Sequence, residues 1–269
     1  GKVNAARGVT GYPVIQLMTL CETGTRALIG AAFGTPADGE ITWARKLLHL
    51  LDESMLVLMD RGFDGGQFLA EVAATRAQFL ARLTSTRRLP VLGHLPDGSF
   101  LSLIGGVKVR IIEASVTVTC HDGTRYAGSY RLATTLANWR AYPAGPLIVL
   151  YHERWEHEIA YLALRHTLLQ GRVLRSGDPA GLEQEMWALL ALYQALRIVI
   201  TDAIQAIPGA DPDRASYQIA VETATTLATQ ACGVISATTG LTGQIGHAVL
   251  ARLHGPRRPR VCARRVKSP

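Results

Sequence analysis

Tyr151, Arg154, Glu158 and Arg165 are the residues whose types and spacing could do chemistry. On a helix advancing about 100° per residue they fall within an arc of about 60°, a single stripe of one phenol, one carboxylate and two guanidiniums. Leu162 and Trp155 project beside that arc, so the stripe is expected to be half buried. A carboxylate in such a place needs a cation, supplied either by a side chain or by a metal ion. Arg154 and Glu158 are spaced i,i+4 with the acid C-terminal to the base, the weaker orientation for stabilising a helix. Spacing alone leaves two readings open, a solvated charged face and a functional one.

A second acid of interest is Asp60, which follows the continuous apolar run Met55-Leu-Val-Leu-Met59. A run apolar on both faces predicts a central, buried strand. The helical period from Gly39 to Asp52, with Ile41, Ala44, Leu47, Leu48 and Leu51 apolar, and a further helix after the strand imply an α/β layer. Sheets of that kind bind ligands beyond the carboxyl ends of their strands. Asp60 is therefore either an ordinary turn residue before Arg61-Gly62 or a carboxylate delivered to the site edge for a hard divalent cation. Asp64, just before Gly65-Gly66, is expected to N-cap the next helix.

The elements that must position these residues can be read in order. Residues 13–20 and 26–33 predict two strands of a hairpin, joined by the Gly-containing turn Cys21 to Thr25. Gln78 to Leu83 is a further strand. From residue 87 to residue 140 the texture is β-rich, with short runs at Pro90–Leu92, Phe100–Leu103, Val107–Ile112 and Ser115–Thr119, turns at Pro96-Asp97-Gly98 and Asp122-Gly123, and a strand over Tyr130–Leu136. The Tyr151 helix follows, then a long helix over Glu183–Asp202, and Asp211-Pro212-Asp213 opens another.

Composition narrows the class. With 269 residues, 48% of them hydrophobic, the chain can bury a sizeable core and is not a disordered polymer. It begins at Gly1 with no Met, charged leader or apolar leader, which argues against a secretory signal and predicts a fragment. The apolar run Met186–Ile200 spans fifteen residues and is interrupted by Gln194 and Arg197, so it predicts a buried helix and not a membrane span. A soluble, cytoplasmic protein is expected. Cys21, Cys120, Cys232 and Cys262 form no Cys-x-x-Cys pair, which indicates neither a zinc site nor a disulfide framework.

The net charge of +7 has one location. Residues 251–269 hold seven Lys or Arg and no acid, leaving 21 Lys plus Arg against 21 Asp plus Glu in the rest of the chain. Such a tail either binds a polyanion, most commonly nucleic acid, by counterion release, or is a solubilising terminus.

Together these residues resemble the DDE transposases of bacterial insertion sequences, in the insertion element four-like group with a Tyr-x2-Arg-x3-Glu-x6-Lys signature. Tyr151, Arg154, Glu158 and Arg165 match that spacing, with Arg in place of the final Lys. The family's second acid ends a strand before Arg-Gly-Phe, as Asp60 does before Arg61-Gly62-Phe63. Leu95-Pro-Asp-Gly-Ser-Phe100, Tyr130-Arg-Leu-Ala-Thr-Thr-Leu136, Leu174-Arg-Ser176, Asp211-Pro-Asp-Arg-Ala-Ser-Tyr217 and the Arg-Pro-Arg tail look like the same group, so the resemblance spans nearly the whole chain.

The resemblance implies an α/β, RNase H-like catalytic core with a β-rich insertion. In that organisation residues 1-86 are the first part of the core, 87-140 the insertion, 141-175 the remainder with the signature helix, 176-250 a C-terminal helical region and 251-269 the basic tail. It implies metal-dependent DNA strand cleavage and transfer in transposition. Two Asp and one Glu would hold two Mg2+ ions about 4 Å apart, with Asp60 and Glu158 as catalytic residues and metal ligands. Tyr151, Arg154 and Arg165 would hold DNA near the metals, and Arg257, Arg258, Arg260, Arg264 and Arg265 would bind DNA from the tail. The implied partners are double-stranded transposon ends and a second copy in a homodimer, and the implied location is the cytoplasm, at the nucleoid. The family's first acid lies upstream of the hairpin, where this chain has no acid before Pro13; Asp38 and Asp52 come after it. A partial copy, inactive alone and weak in metal binding, is therefore expected. A non-catalytic DNA-binding or dimerising remnant of a transposase is the alternative.

Overall fold

Residues 56–82 alternate a short apolar run, an amphipathic segment and a second apolar run, a pattern that closes as strand, helix and strand. In the computed structural model, which describes residues 14–119, 125–230 and 241–255, β1 is Gln16–Cys21, β2 Leu28–Gly34, α1 Glu40–Arg45, β3 Leu56–Met59, α2 Gly66–Ala74 and β4 Gln78–Arg82. β5 Gly93–His94, β6 Phe100–Ile104, β7 Val107–Thr119 and β8 Arg125–Thr134 follow. The helices α3 Ala144–Tyr151, α4 Trp155–Leu162, α5 Pro179–Gln205, α6 Tyr217–Gln230 and α7 Leu241–Leu250 complete the described elements. The chain divides into two compact units, residues 1–20, 29–113 and 130–147, and residues 21–28, 114–129 and 148–269.

In the first unit β3 and β4 pair in parallel, Leu56 opposite Gln78 and Met59 opposite Ala81, with α2 as the crossover. β4 runs antiparallel to β8, and β6 antiparallel to β7. Strands β3 to β8 make one mixed sheet in the order β3-β4-β8-β7-β6-β5, while β1 and β2 pair separately; β3, expected to be central and buried, is thus an edge strand among the described residues, with Met59 buried and Leu56, Val57 and Leu58 half-buried. The core combines Met59, Phe79 and Ala81 of the parallel pair, Phe68, Leu69 and Val72 of α2, and Ile104, Val109 and Ile111 of the β6–β7 hairpin.

Gly105 and Gly106 turn that hairpin with φ of +58° and +82°, the conformation in which a two-residue loop matches the twist of its strands. A Cβ on Gly105 would lie 2.0 Å from the carbonyl oxygen of Gly66, so a side chain is excluded by contact as well as by φ.

Several expectations change at the level of local geometry. The helix expected from Gly39 to Asp52 is α-helical only over Glu40–Arg45 and then tightens to a 3-10 turn at Leu48–Leu50. That bend lets Ile41, Ala44, Leu48 and Leu51 all pack on the core before β3 begins. Pro90–Leu92 is not a strand; pairing starts at Gly93, as suits a proline that cannot donate to a ladder. The runs expected separately at Val107–Ile112 and Ser115–Thr119 are one thirteen-residue strand. Asp122 and Pro13 lie outside the described residues.

The second unit is helical. α5 is longer than expected, 27 residues instead of Glu183–Asp202, because Asp178 caps it through the amide of Gly181 and Pro179 occupies its first turn. By length and composition it could cross a membrane. It nevertheless packs one face, with Met186, Leu190, Tyr193, Leu196, Ile200 and Ile204 buried along it, and it carries the buried cation Arg197. α7 packs on α5 and α6; Gly246 comes so close to α5 that an added Cβ would sit 3.1 Å from that of Ala203. Asp211-Pro212-Asp213 opens a 3-10 turn, Pro212–Arg214, and not a helix; α6 begins at Tyr217.

Candidate active site

Asp60 is the first residue past β3, extended at φ −77° and ψ 169°, and its carboxylate accepts the amide of Arg61 at 2.8 Å. It caps the 3-10 turn Arg61–Phe63, the turn role expected of it, and it stands at the carboxyl end of a parallel strand pair. Asp64 is not the helix cap expected of it. Gly65 is the N-cap of α2, with no side-chain bond, because the Asp64 carboxylate is taken by the amide of Thr84 at 2.9 Å and faces Arg87 Nη1 at 3.9 Å.

The four signature residues lie on one continuous helical path that is not one α-helix. α3 ends at Tyr151, His152–Arg154 is a 3-10 turn, α4 runs from Trp155 to Leu162, and Ala163–Leu168 is π-helical. A 3-10 residue advances about 120° and a π residue less than an α residue, so the uniform arc expected from sequence is broken at both ends. Tyr151, Arg154 and Glu158 are nonetheless brought together. The Arg154 guanidinium lies 5.9 Å from the Tyr151 ring centre and 5.4 Å from that of Trp155, and its Nη1 is 3.7 Å from Glu158 Oε1. Tyr151 is buried, Arg154 and Glu158 are half-buried, and Arg165 on the π stretch is exposed. His152 is held below its ordinary pKa by burial and then by the charge of Arg154.

The stripe is buried at Tyr151 and half-buried at Arg154 and Glu158, as expected, but not beneath the neighbours expected to cover it: Leu162 is 49% and Trp155 38% exposed. The buried side of α4 is the opposite one, with Ala160 and Glu156 inside, Glu156 at only 5% exposure. Its partner is Arg26, 6% exposed, whose Nε donates to Glu156 and whose Nη2 donates to Asp213. The Arg26 carbonyl accepts the Tyr193 hydroxyl at 2.8 Å, which in turn accepts Arg197 Nε at 3.1 Å. Arg197 also lies over the Tyr217 ring at 4.6 Å. Burial pushes the thiol of neighbouring Cys21 up to about 12 and raises Tyr193 and Tyr217.

Sequence reasoning missed this network. One signal was available, since Glu156 shares its side of the helix with Ile159, Ala160 and Ala163, and an acid on an apolar face demands a cation. Nothing in the spacing pointed to Arg26.

Asp60 belongs to the first unit and Glu158 to the second. Arg257, Arg258, Arg260, Arg264 and Arg265 lie outside the described residues. Each of the two acids, taken by itself, offers hard oxygen atoms of the kind Mg2+ prefers, and Glu158 is held only loosely by Arg154. Among the described residues no group of three or more His, Cys, Asp or Glu side chains gathers to hold a metal.

Comparison with known proteins gives the chain a family. Residues 2–194 match the family described as the transposase DDE domain, and the chain belongs to that family. It is also 26% identical over 219 residues to the transposase InsG for insertion sequence element IS4 of Escherichia coli strain K12, covering 77% of this chain and 48% of that protein. The chain thus spans about half the length of the curated relative it matches.

Proposed function

We propose that this chain is the catalytic region of an IS4-like transposase, acting on the phosphodiester backbone of double-stranded transposon ends. The observation that carries the reading is that the family match, residues 2–194, takes in both Asp60 and Glu158. The parallel β3–α2–β4 unit, extended by antiparallel strands and with an acid at its carboxyl edge, supports an RNase H-like core. In that core residues 1-86 and 141-175 would be the framework, 87-140 the β-rich insertion, 176-250 the helical region and 251-269 the tail.

Asp60 and Glu158 are the residues we assign to Mg2+. Bound there, the metal would supply an activated water or 3′-hydroxyl and stabilise the leaving oxygen. Tyr151, Arg154 and Arg165 orient the DNA: the two guanidiniums offer forked donors to phosphate oxygens, and Tyr151 packs under Arg154. The tail arginines add sequence-independent attraction that weakens with salt. A second copy is the expected protein partner, and the nucleoid the place of action. Two carboxylates hold a divalent ion weakly, so this polypeptide alone is expected to cut DNA poorly or not at all. The second reading, a DNA-binding form without catalysis, rests on the basic tail, whose attraction for a polyanion needs no metal.

The test is metal-directed cleavage of the protein. Fe2+ replaces Mg2+, and ascorbate with peroxide generates radicals that cut the chain beside the bound ion. Cuts near residues 60 and 158, both suppressed by excess Mg2+ and both lost in Asp60→Ala and in Glu158→Ala, are expected. Cuts elsewhere, or cuts at one acid that persist when the other is removed, would refute a shared metal centre.

A further inference from the structure

The buried arginine network has no role in the chemistry just described, yet it touches the helix that carries Glu158. Glu156 and Glu158 are two residues apart on α4, about 200° around the helix. Whatever fixes the azimuth of Glu156 therefore fixes that of Glu158. α4 has only eight residues and is bounded by a 3-10 turn and a π stretch, so its rotation is not dictated by a continuous α-helix on either side.

Glu156 is held by Arg26. This residue sits in the left-handed region, φ +59°, at the tip of the β1–β2 hairpin. Glu22 shapes that tip by accepting the amides of Gly24 at 2.7 Å and Thr25 at 2.6 Å. The tip is held from several directions. Leu28 donates its amide to Gln194 of α5 at 2.9 Å, the Arg26 carbonyl accepts Tyr193, and Thr23 donates to Glu153 at 3.2 Å. From this braced position the guanidinium forks between Glu156 and Asp213. A planar fork in a fixed place constrains the direction of its carboxylate partner more than a point charge would.

We propose that Arg26 is a positioning residue for Glu158: by gripping Glu156 from the hairpin tip it sets the rotation of α4 and aims Glu158 toward the metal. The inference rests on reading Glu158 as a metal ligand. Residues that hold a ligand's support in place typically change metal affinity 10–100-fold when altered.

The experiment uses the full chain with Mn2+ as the probe, binding followed by titration calorimetry and folding by urea denaturation. Arg26→Gln leaves Glu156 buried against a neutral group, so it is expected to lower the urea midpoint and weaken Mn2+ binding about tenfold or more. The double variant Arg26→Gln/Glu156→Gln removes the stranded charge. Its midpoint is expected to return toward that of the wild type while Mn2+ binding stays about tenfold weaker. Arg26→Lys, which keeps a cation at the tip but loses the planar fork, is expected to recover much of the urea midpoint and little of the affinity.

A readout independent of metal is the rate at which a thiol reagent modifies Glu158→Cys, mapped by peptide mass; it is expected to change several-fold when the Arg26→Gln/Glu156→Gln pair is added. Mn2+ affinity and thiol rate both unchanged in the stable double variant would overturn the proposal. If instead wild type and Glu158→Ala bind Mn2+ equally, the metal-ligand reading fails, and the thiol rate alone decides whether Arg26 sets the helix.

Discussion

Each unit contains one arginine buried against a carboxylate, and the two are built in opposite ways. Arg110 of the sheet unit is fully buried, with Nε donating to Ser99 at 2.8 Å, Nη1 to the Tyr142 carbonyl at 2.6 Å and Nη2 to Asp97. Ser99 and Asp97 are 11 and 13 residues away, in the turn that leads into the β6 strand it pairs with, and Tyr142 is 32 residues away. Arg26 of the helical unit reaches Glu156 and Asp213 across 130 and 187 residues. The first closes a hairpin; the second joins a hairpin tip, a helix and a turn that have no local reason to meet. The same ion-pair chemistry thus serves local order in one place and tertiary order in the other.

The comparison is broken or upheld by alanine at each site. Removing a buried partner costs most when the charge left behind cannot reach water. Glu156 has 6% of its side chain exposed and Asp97 has 18%, with Ser99 still bonded to the latter. Arg26→Ala is therefore expected to lose about 3–5 kcal/mol of folding stability, and Arg110→Ala less, about 1.5–3 kcal/mol. Urea denaturation measures both. Equal losses would mean that the residual exposure of the stranded carboxylate makes no difference to its cost.

That difference also accounts for what could be read beforehand. The apolar run at residues 55–59, the crossover to Gln78–Arg82 and much of the β-rich texture to residue 136 depend on period and turn chemistry within a few residues, and β3, β4 and β5 to β8 form there, with β3 at the edge of the sheet and not at its centre. Asp60 at a strand end and the Tyr151–Arg154–Glu158 grouping were legible for the same reason. The buried side of α4 was not, because period 3.6 shows that a helix has two faces without saying which neighbour covers which. Leu162 and Trp155 suggested one side, and Glu156 shows it is the other. The Leu95-Pro-Asp-Gly-Ser-Phe100 stretch, first noted for its resemblance, has a structural explanation: its Asp97 and Ser99 hold Arg110.

A smaller effect sharpens the local side of the comparison. Gly105 and Gly66 touch across 39 positions of sequence, backbone to backbone, so even the sheet unit contains a long-range contact that no side chain signals. Gly105→Ala must place a Cβ against the Gly66 carbonyl at a φ of +58°, an expected cost of about 1–3 kcal/mol. Gly106→Ala meets nothing within 4 Å and carries only the strain of its own φ. If the two variants melt together, the close approach of α2 to the hairpin contributes nothing beyond turn conformation.

The smallest expected effect is in acid. Burial alone would raise the Asp97 carboxyl, but hydrogen bonds from the Ser99 hydroxyl and amide and the charge of Arg110 outweigh it, holding the group below its ordinary value of 3.8. A carboxyl depressed in the folded state binds its proton later than in the unfolded chain. Its contribution is fully present above the unfolded pKa and is lost as pH falls through the folded one. Stability should therefore decline on going below pH 3.8, more steeply in wild type than in Arg110→Ala, which keeps only the Ser99 bonds. Arg26→Ala leaves the Asp97 pair intact, so that pair's share of the acid decline should persist in it despite the larger loss at neutral pH. Urea midpoints between pH 7 and pH 3 read all three proteins, and parallel acid slopes for wild type and Arg110→Ala would assign the depression to Ser99 alone. Because the carboxyl answers to a hydroxyl and an amide two residues away as well as to the guanidinium, its titration is the most local property of either arginine site.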